Sequence, residues 1–272
     1  MKKVFSTVNN NLTLITPLIL FMLLIMLVIS VSMFSNRAIA HLIALILIIH
    51  ISAIFIAGWF NMIKNVVINS TNSKTFEGLK TFYDGIGNYF LPSTGAILIS
   101  SLLLFLILGI SYYLGISLIG NPNLDLKTFS EALTNSEAIK TFLASLSKEQ
   151  ILQIYNWNLL IILSSLLIQF LLILYFPVIF FKNKNPIFAL LISFKDLFSK
   201  KIVKTMGVFL LIVFCNFTLS LFSSIFGNYP FIHFLITLLN FYFSTVIFVG
   251  IFHYYYNSFI DKKIGQNIDI KI

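Results

Sequence analysis

Charge is scarce in this sequence. Of its 272 residues only 10% are Asp, Glu, Lys or Arg, while 58% are hydrophobic. A soluble chain averages roughly 25% charged residues, and a water-facing surface for 272 residues needs far more polar side chains than these. Cysteine is almost absent. Cys215 stands alone, so the chain has no intrachain disulfide, no CxxC pair and no cysteine-based metal site. Arginine too is reduced to one residue, Arg37, against 17 lysines. That ratio reads as a compositional bias, and the net charge of +9 does not point to nucleic acid. The lysines sit beside apolar runs and form no basic face.

What the chain has in plenty is uninterrupted apolar sequence. No charged residue occurs in 4–36, 38–63, 85–124, 150–181 or 205–260. About 20 apolar residues make one membrane-spanning helix, so four runs hold one span each and the last holds two. The sequence therefore predicts an all-α, polytopic integral membrane protein, a single transmembrane domain over 1–272. Its spans fall at 12–34, 39–61, 95–118, 158–181, 206–226 and 231–256. The last two are separated by the turn cluster Gly227-Asn228-Tyr229-Pro230. The amino terminus imitates a secretion signal, with Lys2 and Lys3 before an apolar stretch and Ala38-Ile39-Ala40 as a small-x-small site. The apolar stretch exceeds the 7–15 residues of a signal core and Arg37 adjoins the site, so the first span is expected to stay uncleaved.

Lysine placement gives an orientation. Lys2, Lys3, Lys64, Lys74, Lys80, Lys182, Lys184, Lys195, Lys200, Lys201, Lys204, Lys262, Lys263 and Lys271 fall on one side; Arg37, Lys127, Lys140 and Lys148 fall on the other. Both termini are expected in the cytoplasm. Trp59, Trp157, Tyr112, Tyr113 and Tyr254 to Tyr256 lie near span ends, where amphipathic rings settle.

Two cytoplasmic segments carry helical periodicity. In 75–91, Phe76, Leu79, Tyr83, Ile86 and Phe90 recur at steps of three and four, with Phe82 and Asp84 between them. In 186–204, Ile187, Leu190, Leu191, Phe194, Leu197, Phe198 and Ile202 form an apolar face, and Ser193, Asp196, Ser199, Lys200 and Lys204 the opposite one. Each is read as an interfacial amphipathic helix, apolar side down, lysines towards anionic lipid of the inner leaflet. Phe76, Phe82, Asp84, Phe188, Phe194, Asp196, Leu197, Lys200 and Lys204 are the candidate contacts to lipid or to a protein partner at the cytoplasmic face. The outer loop 120–154 contains Thr128-x-x-Glu131, Thr134-x-x-Glu137 and Ser147-x-x-Gln150. These are capping-box patterns, and the last predicts a helix starting near Lys148.

A shift of 112 residues superposes Phe76 on Phe188, Leu79 on Leu191, Phe82 on Phe194, Asp84 on Asp196, Gly95 on Gly207, Leu98 on Leu210 and Phe105 on Phe217. The order span, interfacial helix, span then recurs as an internal parallel repeat, and Phe259-Ile260-Asp261 marks a third occurrence of Phe-x-Asp. This order, within a six-span chain of this size, resembles bacterial inner-membrane proteins grouped with the membrane domain of glycerophosphoryl diester phosphodiesterases. That resemblance implies a bacterial plasma-membrane protein. The hydrolase of such proteins is a separate soluble domain, so it carries over no catalytic residue.

Motifs for chemistry are missing. No acid or lysine lies within a span, which argues against proton-driven transport. There is no GxSxG, HExxH or glycine-rich phosphate loop. His41 and His50, nine residues apart, sit on opposite faces of one helix and cannot jointly hold a metal or haem. No catalytic residue, cofactor or metal site is therefore assigned. The reading is a non-enzymatic membrane protein that organises partner proteins or lipids; the alternative is a permease subunit for a hydrophobic or uncharged solute, driven by a separate ATPase. In a Cys215→Ser background, cysteines placed at Ser136 and Ser199 should label with an impermeant thiol reagent from opposite sides of the membrane. Labelling of both in intact cells contradicts the six-span topology.

Overall fold

The computed structural model describes residues 2–34, 38–72, 78–121, 136–226 and 229–261. Among them every regular element is helical. In chain order these are α1 (Lys2–Asn9), a short 3-10 turn (Leu12–Leu14), α2 (Thr16–Met33), α3 (Ala38–Asn72), α4 (Gly78–Leu118) and α5 (Ser136–Ser145). There follow α6 (Lys148–Leu172), α7 (Tyr175–Phe181), α8 (Pro186–Leu197), α9 (Ile202–Phe226) and α10 (Pro230–Tyr255), which widens into a π-helical turn, Tyr256–Ile260. Six stretches are long and apolar enough to cross a membrane: Leu12–Met33, Ala38–Asn69, Gly78–Leu118, Lys148–Phe181, Ile202–Phe226 and Phe231–Ile260.

Local chemistry accounts for most boundaries. Pro17, Pro186 and Pro230 stand in the first turns of α2, α8 and α10, where a missing N–H costs nothing. Asn185 caps α8, its Oδ1 accepting from the amides of Ile187 (3.0 Å) and Phe188 (3.3 Å). At the start of α6 the Ser147/Gln150 capping box closes in both directions, at 3.0 and 3.2 Å. The expected fourth span is interrupted between α6 and α7. Pro177 explains the break, because its ring crowds the carbonyl four residues back, at Ile173. Pro92, by contrast, lies inside α4 without ending it.

Two expectations about helices change here. The segment 75–91 is not a helix separate from the span after it: from Gly78 the chain runs unbroken to Leu118, and Thr75, Phe76 and Glu77 lie outside the described residues. The segment 186–204 is divided, with α8 ending at Leu197 and α9 starting at Ile202. One element is new. Lys2–Asn9 forms a helix of its own, with Val4 and Val8 buried.

The chain divides into two compact units, one made of Met1–Ile99 with Leu171–Ile272, the other of Ser100–Phe170. In the first unit the core is aromatic. Phe60 of α3 meets Phe176 and Phe180 of α7 at 5.2 and 5.8 Å and Phe248 and Phe252 of α10 at 5.2 and 5.3 Å. Beside it Trp59 stacks on Phe55 (4.9 Å) and meets Phe248 edge-on (5.2 Å). Its buried indole N–H donates to the Leu14 carbonyl at 2.7 Å, tying the 3-10 turn ahead of α2 to α3. In the second unit Ser111 and Ser164 share a hydrogen bond of 2.6 Å between α4 and α6, and Trp157 Nε1 donates to the Gly120 carbonyl at 3.0 Å. Phe105 is 70% and Phe217 60% exposed, a surface that suits hydrocarbon and not water.

Close approach of α3 and α4 depends on glycine. A Cβ on Gly85 would fall 2.5 Å from the Ala57 carbonyl oxygen and 2.7 Å from Asn61 Cβ, whereas one on Gly87 would meet nothing within 4 Å. Gly85→Ala should lower stability by about 1–3 kcal/mol. Gly87→Ala should be neutral or stabilising by up to ~1 kcal/mol, since alanine is the better helix former. Thermal unfolding of both variants in one detergent checks the pair.

Candidate functional site

The first unit collects its lysines over aromatic rings. Lys64 Nζ donates to the Tyr89 hydroxyl at 2.9 Å and stands 5.3 Å from that ring's centre; Lys184 stands 4.8 Å from the same ring. Tyr89 donates onward to the Phe180 carbonyl at 3.3 Å and stacks on the Phe180 ring at 4.3 Å. Lys182 lies 5.2 Å from the Tyr255 ring and 5.4 Å from Phe259. On Phe259 it is joined by Lys201, 4.2 Å away, whose ammonium also donates to the Ser258 carbonyl. Cations held over aromatic faces gain roughly 0.5–2 kcal/mol each, more where water is excluded.

Asp196 is the hub of this region. Its Oδ2 accepts from Lys182 Nζ at 2.5 Å and from the Tyr255 hydroxyl at 2.7 Å. Only 14% of the Asp196 side chain and 20% of Lys182 are exposed. One carboxylate thus joins α8, the segment after α7 and the end of α10. Both partners are needed because a carboxylate this far from water is costly unless paired and hydrogen-bonded. The π-helical turn follows directly and leaves Ser258 and Phe259 buried, and Phe259 stacks on Tyr255 at 5.1 Å.

The structure sorts the candidate contacts differently from their helical periodicity. On α8 the inward face holds Ala189, Ser193 and Leu197, each with no exposed surface, and Asp196 lies beside it. The outward face is Ile187, Phe188, Leu191 and Lys195, continued by Phe198. Leu197 is therefore a core residue and not an outer contact, Phe194 is half-buried, and Phe188 is 57% exposed. The division differs from the expected one because the Lys182 and Tyr255 partners draw Asp196, and Ser193 with it, towards the protein. Lys200 and Lys204 are exposed, Lys204 with its ammonium 5.9 Å from the Tyr254 ring. On α4 the Phe82 ring packs over Gly58, where a Cβ would fall 2.5 Å from it. Asp84 is exposed. Asp84 and Asp196, which the 112-residue shift aligns in sequence, thus occupy unlike surroundings. Tyr89, Lys182 and Tyr255 were not singled out from the sequence. Lys182 entered only in the count of charges, Tyr255 only within the Tyr254 to Tyr256 run, and Tyr89 not at all.

A groove of about 780 Å³ is lined by α2, α3 and the first turns of α4. Leu20, Phe21, Leu24, Ile51, Ile54 and Phe55 make its apolar wall, and Thr13, Thr16, Lys80 and Tyr83 supply its polar groups. Among the described residues no group of three or more His, Cys, Asp or Glu could hold a metal ion. His50 is exposed, its Nδ1 2.8 Å from the Ile46 carbonyl.

Asp196→Ala should cost about 3 kcal/mol, since it strands Lys182 in a shielded site. Combining it with Lys182→Met should recover more than half of that loss, the signature of direct coupling in a double-mutant cycle of unfolding free energies. No protein-family model matches the chain, and no curated protein or solved structure does so either.

Proposed function

We propose that the chain is a non-enzymatic, six-span protein of a bacterial plasma membrane that organises lipids or partner proteins at the cytoplasmic face. The observation that carries this reading is the outward face of α8. Ile187, Phe188, Leu191 and Phe198 are all more than half exposed, flanked by Lys195 and Lys200, while the inner face is fixed through Asp196. An apolar strip bordered by lysines, held at the end of a bundle of apolar helices, suits the headgroup plane of an anionic leaflet. The lysines over aromatic rings belong to the side that the lysine count assigns to the cytoplasm. The likeness to membrane domains of glycerophosphoryl diester phosphodiesterases leads the same way, as does an internal repeat in which 75–91 would be the counterpart of α8.

A second reading, the permease subunit, draws on the groove between α2 and α3. Its size falls within the roughly 300–1,000 Å³ usual for small ligands, and its wall suits an uncharged solute. An ATPase co-purifying with the chain favours this reading.

Magnitudes separate the ways in which α8 could be held. Apolar burial gains about 25 cal/mol per Å², whereas a lysine near an anionic leaflet gains about 1 kcal/mol. In nanodiscs, Phe188→Asp or Leu191→Asp should speed amide exchange across α8, and Lys200→Gln should change it little and mainly at low salt. Release by the lysine change alone contradicts the lipid reading and makes the segment a docking surface for an acidic partner.

A further inference from the structure

A second groove, of about 630 Å³, is bounded by α1, α9 and α10. On α9 its lining residues are Lys204, Gly207, Val208, Leu211, Ile212 and Cys215, one helix face followed for about 16 Å. The groove therefore runs along the helix axes, the direction that acyl chains take in a bilayer. Its width comes from glycine. A Cβ on Gly207 would meet nothing within 4 Å, and one on Gly250 only Val4 Cγ1 at 3.8 Å.

Its chemistry is graded from end to end. Towards Cys215 the walls are apolar; at the other end stand Lys204, His253, Asn257 and Ser258, with no acid in the lining. Several polar atoms there are already engaged. The Tyr254 hydroxyl pairs with Thr205 at 2.7 Å, and Lys201 takes the Ser258 carbonyl. His253 is not fully satisfied. Asn257 Nδ2 sits 2.8 Å from its Nδ1, and its Nε2 is buried without a hydrogen-bond partner. With the Asn257 amide donating to Nδ1, the neutral ring carries its proton on Nε2, a buried donor lacking an acceptor. Lys204 has no carboxylate partner among the described residues. Unsatisfied donors and positive charge at one end of an apolar channel call for an anion with a hydrocarbon tail.

We infer that this groove seats one acyl chain of an anionic phospholipid from the leaflet on the lysine side, its phosphate accepting from Lys204. The inference rests on the membrane reading and deepens it by naming a bound lipid. The chain would carry a lipid between α9 and α10 as part of its structure, with α1 covering it.

The test is lipid retention. The full chain is exchanged into detergent containing equal phosphatidylglycerol and phosphatidylcholine, and bound lipid is counted by native mass spectrometry. The wild type should keep one phosphatidylglycerol with about a tenfold preference, because both lipids offer a phosphate but phosphatidylcholine adds a quaternary ammonium that Lys204 repels. Gly207→Phe places a ring in the groove where a Cβ meets nothing within 4 Å and should lose the lipid. Gly109→Phe adds the same bulk where a Cβ meets nothing within 4 Å and should keep it. Lys204→Gln should level the preference between the two lipids, and decides the matter if Gly207→Phe does not fold. Equal retention by Gly207→Phe and wild type, equal binding of both lipids by wild type, or replacement by a free fatty acid overturns the inference. A chain whose α8 is protected in nanodiscs yet keeps no phospholipid refutes the groove alone. One that keeps the lipid while its α8 exchanges freely refutes the interfacial reading alone.

Discussion

Aromatic packing on the two adjacent residues Trp59 and Phe60 is what the first unit depends on. Phe60 faces α7 and α10 at once, so the chain's second span meets elements more than a hundred residues later around one ring. Trp59 works in the other direction, its indole N–H reaching the Leu14 carbonyl that precedes α2. Each aromatic pair contributes about 0.5–1.5 kcal/mol beyond the area it buries. In hydrocarbon that surplus counts for more than usual. Lipid tails are as apolar as the side chains, so ring geometry and hydrogen bonds, not water exclusion, must hold helices together.

From that core the polar arrangement at one end follows. Phe180 hands the packing on to Tyr89, and Phe252 does so through Phe181 to Tyr255, and these hydroxyls and rings receive Lys64, Lys184 and Lys182. Asp196 then fixes α8 against the bundle through Lys182 and Tyr255. A helix held on its inner side by a carboxylate is free to turn Ile187, Phe188 and Leu191 outward. The lysines thus decide local geometry by their partners.

The second unit uses another means. Ser111 and Ser164 meet across α4 and α6, and Gly115 leaves room for the Trp157 ring, which donates to Gly120. Small residues and interhelical hydroxyls are the usual adhesive between helices in an apolar solvent. Of this, Trp157 was legible as a span-end residue and Ser147-x-x-Gln150 as a helix start. The pairing of Ser111 with Ser164 was not, because serines in a span carry no mark of which neighbour they will face.

By itself the sequence determined what depends on composition and short range: the all-helical class, six stretches long and apolar enough to span, and the start of α6 at Lys148. Run length, capping side chains and proline placement act within a few residues and need no partner. Tertiary structure decided which side of α8 faces in, where the lysines rest, and that 78–118 continues through Pro92. On α8 every candidate face had enough apolar residues. A carboxylate too costly to bury unpaired chose between them once Lys182 and Tyr255, far off in sequence, came within 2.5 and 2.7 Å of it.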